Sequence, residues 1–130
     1  MSFTTSFKTI IETCPSIGTY ITGGIKFGHL PEDFDIKKNW LCWDFNLDEQ
    51  VNVLNGNDAY SNYTVAITLT SNDSVTTENI GDILVNYLNN KSTSDFPDIY
   101  VKSDSKTITL NKPANTYQTQ FNVGVIYIGN

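Results

Sequence analysis

Residues 62–88 read NYTVAITLTSNDSVTTENIGDILVNYL, and this stretch decides the fold. Its first part alternates. Tyr63, Val65, Ile67 and Leu69 point one way, and Thr64, Ala66, Thr68 and Thr70 point the other. Period-two alternation with β-branched residues is a strand with one apolar face. A few polar residues later the period changes. Ile80, Ile83, Leu84, Tyr87 and Leu88 fall at i, i+3, i+4, i+7 and i+8, the stripe of an amphipathic helix, and Gly81 does not interrupt it. Asp73 or Ser74 supplies the N-cap and Glu78 a favourable charge near the first turn, so the helix spans Val75 to Leu88. Asn89-Asn90-Lys91-Ser92 ends it.

Upstream, Trp40 to Leu47 is a second strand, with Leu41, Trp43, Phe45 and Leu47 on one face and Asp44 and Asn46 on the other. Trp40 and Trp43 therefore lie on opposite faces. Trp43 belongs in the core, whereas Trp40 is a candidate interface aromatic, since large aromatics are enriched at subunit contacts. Between the two strands lies a long polar loop or arm at about 48–61. Its candidate assembly residues are Asp48, Glu49, Asn52, Val53, Leu54, Asn55, Asn57 and Asp58. A connection of that length is usually functional, as a binding loop or an arm that orders on assembly.

Nearer the N-terminus, Phe3, Phe7, Ile10, Ile11 and Cys14 mark one face of a helix that Ser2 or Thr4 caps and Pro15 ends. Gly23-Gly24, between short apolar runs, predicts a small hairpin or a sharp corner. Gly28 to Lys38 reads as a loop holding the single histidine and three carboxylates. Downstream, strands are expected over Ile99–Lys102, Lys106–Leu110 and Tyr117–Ile128. In the last, Tyr117, Thr119, Phe121, Val123, Val125 and Tyr127 share a face. Two amphipathic helices cannot each bury a stripe alone. The expected fold is α+β: a mostly antiparallel sheet with both helices packed on one face, in a single domain over residues 1–130. The second sheet face, lined by Thr, Asn and Ala, is left to solvent or to a partner.

Composition excludes several function classes. The 130 residues carry 8 basic and 14 acidic side chains, a net charge of −6, and every basic residue is a lysine. A chain without arginine at that charge is no reader of nucleic acid, because phosphate and guanine contacts draw on Lys and Arg. No run approaches the ~18 apolar residues of a membrane-spanning helix, and the first fourteen residues lack the apolar core of a signal peptide. Cys14 and Cys42 are expected as two reduced, packed thiols, with a small oxidised staple between them as the alternative. Three glycosylation sequons occur, at Asn62, Asn72 and Asn90; with 15 asparagines and a Ser- and Thr-rich chain, chance supplies about that many.

No residue set declares a chemistry. His29 near Asp33 and Asp35 lacks an activated nucleophile and oxyanion donors, so it reads as a surface histidine. Asp44-Phe-Asn46-Leu-Asp48 has the alternating oxygens of a calcium loop, but Glu49 stands where the glycine is required and Asn55 where the bidentate Glu should be. Glu32, Asp33 and Asp35 form a solvated turn after Pro31, without an aromatic platform in adjacent sequence for a glycosidase site. One His and two separated Cys do not make a transition-metal set, and no cofactor is expected.

The order of elements resembles the tail-terminator and neck (head–tail joining) proteins of tailed bacteriophages. The likeness lies in the helix Phe3 to Cys14, the strand Asn62 to Ser71 running into the helix Val75 to Leu88, and a strand pair before one long strand, Thr116 to Ile128. The resemblance implies a non-enzymatic virion protein, made in the host cytoplasm and located in the tail or neck. It implies a homo-oligomeric ring of about six subunits. Tail-tube or connector (portal) proteins would be its partners, and DNA would pass through the ring without sequence-specific binding. An acidic surface free of arginine suits a channel along which DNA must slide. The alternative reading is a small β-rich carbohydrate-binding module that stacks sugars on Trp40, Tyr60 and Tyr63. A small hydrolase ranks last.

Overall fold

A computed structural model describes residues 2–30, 33–51, 60–102, 107–111 and 116–128. The element order is α1 (Phe3–Glu12), α2 (Ile17–Tyr20), β1 (Gly24–Phe27), β2 (Trp40–Val51), β3 (Tyr60–Ser71), α3 (Ser74–Leu88), β4 (Asp98–Val101), β5 (Thr107–Asn111) and β6 (Thr116–Tyr127). The sheet order is β1-β2-β3-β6-β4, and β5 also pairs with β6. Every pairing is antiparallel except β1 with β2. The fold is α+β, as the periodicities predict.

The helix ends follow their local chemistry. The Ser2 hydroxyl accepts from the Thr5 N–H, which starts α1. The Asp73 carboxylate accepts from the Val75 N–H and the Thr76 hydroxyl, which starts α3. Asn90 sits in the left-handed region at φ 63°, a conformation asparagine tolerates, and turns the chain after α3.

One sheet face carries the core. Trp43 pairs with Ile67, Ile67 with Phe121, Val65 with Val123, and Val125 with Ile99, so one apolar row runs across the sheet beneath the helices. α1 lays Phe3 against Phe45, Tyr63, Phe96 and Tyr127, and Phe7 against Trp43 and Phe96. α3 buries Ile80, Leu84 and Leu88 in the same layer. A hydrogen bond of 2.6 Å between the Thr13 hydroxyl and the Tyr87 phenol ties the region after α1 to α3.

The structure refines three sequence expectations. Of the hairpin or corner expected at Gly23-Gly24, the structure forms the corner: the chain enters β1, which runs parallel to β2, with Gly24 at φ 127° and Gly28 at φ 94° bracketing the strand. Gly23 is there for space, since a Cβ would fall 2.4 Å from the Trp40 ring. The long loop is shorter than 48–61, because β2 continues to Val51 and β3 starts at Tyr60. A register shift between Leu47 and Glu49 lets the pairing run past its polar sequence. Finally, β4 and β5 pair with the same strand. Both lie on the outer side of β6, β4 against residues 123–126 and β5 against residues 116–120, so they share one interrupted lane.

Candidate assembly surface

The face opposite the helices is open except at the Trp40 end, where a loop lies over it and Cys42 and Thr70 are buried. Along β3 it presents Asn62, Thr64, Ala66, Thr68 and Thr70; along β6, Gln118, Gln120 and Asn122; along β2, Trp40, Cys42, Asp44 and Asn46. Uncharged polar side chains dominate its centre. Two glycine positions let side chains lie flat on the sheet. A Cβ at Gly124 would meet the Tyr100 ring at 2.2 Å, so the ring crosses the sheet above that glycine.

The candidate residues divide into two groups. At the far end of β2, Asp48 accepts from the Thr64 hydroxyl, and Lys102 Nζ donates to the same hydroxyl oxygen at 3.1 Å. Glu49 Oε2 accepts from Asn62 Nδ2 at 3.3 Å. Asp48 and Glu49 are thus strand residues whose side chains brace β2 against β3 where the two strands leave the sheet. Asn52, Val53, Leu54, Asn55, Asn57 and Asp58 lie outside the described residues.

Trp40 stands at the other end of β2. Its Nε1–H donates to the Asp35 carbonyl at 2.9 Å, Phe34 meets it edge-on with ring centres 6.4 Å apart, and Lys26 Nζ lies 6.0 Å from the ring centre. Half-buried by its own loop, Trp40 fixes residues 33–40 over the sheet. That loop forms one wall of a groove of about 370 Å³ whose lining includes His29, Leu30 and Phe34 on the loop and Cys42, Thr68 and Gln118 on the sheet. Sequence periodicity gave no sign of this groove, because a loop that folds back over a strand leaves no repeating pattern.

The chemical candidates stay apart. His29 is exposed, and Asp35 spends a carboxylate oxygen on the Lys37 N–H at 2.9 Å, a local turn. Asp44 and Asn46 are exposed strand positions. Among the described residues no group of three His, Cys, Asp or Glu side chains is placed to hold a metal. Cys14 and Cys42 are free and buried, Cys14 in the helix-side core and Cys42 in the floor of the groove. Burial pushes both thiols up, Cys42 to about 11, so neither is a nucleophile at neutral pH. The aromatics of the sugar reading do not share a platform: Tyr63 stacks under Phe3 at 3.9 Å on the helix side, while Trp40 belongs to the open face.

Exposed apolar residues gather at the β1–β2 corner instead. Phe27 is 55 % and Leu47 52 % exposed, with the half-buried Phe45 between them in the same layer. No described helix is long and apolar enough to cross a membrane.

No family model matches the chain, and no curated protein matches it. Its fold is similar to that of a chain solved in the virion of a native gene transfer agent particle. The TM-score is 0.68 at 6% identity, covering 94% of this chain and 91% of that one. At that identity the likeness is one of fold.

Proposed function

We propose that this chain is a structural, non-enzymatic virion protein that forms a ring at the tail-tube end or neck of a tailed phage-like particle. The observation that carries the reading is the fold shared, over nearly the whole chain, with a protein of a virion. The order of elements, which resembles tail-terminator and neck proteins, points the same way. The ring holds about six subunits, joins the tail tube to the connector or portal, and lets DNA pass through its centre.

In this reading the open face of the sheet looks into the channel and the two helices look outward. A surface of Thr, Asn and Gln, with few charges, offers hydration without phosphate neutralisation, so it gains little affinity for passing DNA. The segment between β2 and β3, braced at its root by Asp48, Glu49, Thr64 and Lys102, is the arm that reaches a neighbouring subunit or the channel.

Mass in solution tests the proposal, for the chain alone and after mixing with tail tubes or connectors. A ring mass in either setting supports it, and deletion of residues 52–57 should leave a folded monomer that no longer assembles. A chain that stays monomeric in both settings, or one that binds an oligosaccharide as a monomer, overturns it.

A further inference from the structure

The two edges of the sheet are unequal, and together they specify how subunits join. β1 pairs with β2 only from Trp40 to Trp43. The Gly28 N–H still reaches the Trp43 carbonyl at 2.9 Å, and then the chain turns away. Among the described residues nothing pairs with the outer edge of β2 from Asp44 to Val51. By strand alternation the backbone groups of Phe45 and Leu47 aim the same way as those of Trp43. On the opposite edge β4 is occupied: Ile99 exchanges hydrogen bonds with Asn90 and Lys91, and the Val101 N–H donates to the Asn89 side chain. Among the described residues, nothing pairs with the outer side of β5.

These two free stretches lie at different heights. Through Gln118 and Thr70, the centre of β5, Thr109, is level with Trp40. The open part of β2 therefore sits higher along the strand direction than β5. β3 and β4 run parallel and are joined by α3 across β6. The right-handed hand of such crossovers places the β1–β2 edge on the right when the sheet is viewed from the helix side with β2 pointing up. In a closed ring whose strands tilt in the usual sense, each right-hand neighbour is displaced upward along the strands. The upper half of β2 then meets the lower half of the neighbour's left edge, which is β5.

We infer that, in the ring just proposed, the outer edge of β2 from Asp44 to Val51 pairs antiparallel with β5 of a second copy of this chain. The neighbour's β5 then occupies the lane that β1 leaves vacant, end to end with β1. Setting position 109 of the second copy opposite Asn46 offsets the copies by the distance from Trp40 to Asn46 over four lanes. That is about 20 Å along the strand against about 19 Å across it, a tilt of about 45°, within the range of closed sheets.

Chemistry agrees with that register. In that register positions 108 and 110, Ile and Leu in the sequence, fall opposite Leu47 and Phe45, and Leu47 is 52 % exposed. Because the two surfaces differ, the contact is head-to-tail, the kind that closes into a ring. The same geometry places the helices outside and the Thr- and Gln-lined face inside.

Oxidation of a chain carrying both Asn46→Cys and Thr109→Cys tests the pairing. The expected result is a ladder of disulfide-linked oligomers up to the ring mass, absent from either single variant. Leu47→Pro removes an outward N–H from the β2 edge and spares the β2–β3 ladder. It should leave a folded monomer, by circular dichroism, that forms no ring. Rings that form without the cross-link, or that survive Leu47→Pro, overturn the pairing and leave the ring reading standing. A wild-type chain that forms no ring, alone or with tail components, overturns both.

Discussion

Thr119 is wholly buried on the helix-covered face, and its hydroxyl has no hydrogen-bond partner among the described residues. A buried hydroxyl of that kind keeps its desolvation cost without compensation. Thr119→Val retains the shape and removes the oxygen, so it should stabilise the fold by about 1 kcal/mol, read as a higher urea midpoint at unchanged slope. Cys42 carries a different kind of cost. At 7% exposure, desolvation raises its thiol from 9.0 to about 11, with Lys26 partly opposing the shift. The folded chain therefore holds a proton that the unfolded chain releases above pH 9. Stability is unaffected below that pH and falls as pH rises from 9 toward 11, by up to about 1.4 kcal/mol per unit. Cys42→Ala should flatten that fall in melting temperatures measured from pH 8 to 11. A residual slope is expected, since burial raises Cys14 in the same direction.

At the scale of elements, α1 and β1 both set a phenylalanine against Trp43 of β2, at very different depths. Phe7 is wholly buried between Trp43 and Phe96, and its truncation to Ala should cost about 3–5 kcal/mol. Phe27, with the same side chain on β1, is 55 % exposed, and its truncation should cost about 1 kcal/mol or less. Denaturant titrations of the two variants give the comparison, and equal losses would mean that the corner is packed more tightly than its exposure indicates. The same contrast explains what the chain's pattern reveals. α1, α3, β2, β3 and β6 each repeat an apolar residue at a fixed period against a single core, and their existence is legible. β1 is too short for a period, and its parallel partner lies beyond a loop, so the tertiary pairing decides it. α2 is a single turn held between Ser16 and Ile21, below the length at which a helical stripe can be read. The bulge after Leu47 hid the ends of β2 and β3, because pairing there no longer follows the alternation from which those ends were judged.

For the whole molecule, the sequence already set the Thr-rich face of β3 apart as a surface for solvent or a partner. The wall that residues 28–30 and 33–38 raise over that face, and the inequality of the two edges, arise only when distant strands pair. The assignment of that face to a channel has an electrostatic consequence that can be measured on assembled rings. With net charge −6 and uncharged polar side chains at the centre of the inner face, wild-type rings should not retain double-stranded DNA at about 50 mM salt. Gln120 and Asn122 are exposed on β6, and Asp44 on β2, all on the open face. Changing all three to Lys gives every subunit three cations toward the channel and should produce DNA retention. Each phosphate neutralised adds about 0.9 to the steepness with which log K falls with log salt, so the dependence should be steep. Asn79 and Asn86 are exposed on α3, which the proposed ring turns outward. Asn79→Lys with Asn86→Lys, together with Glu78→Lys, adds at least as much positive charge to the whole ring but aims it away from the channel. Capture of linear DNA that is resistant to displacement by short competitor duplexes should follow the inner substitutions and not the outer ones. If the outer variant captures DNA equally well, the open face is not the channel lining, and the ring must be turned with its helices inward.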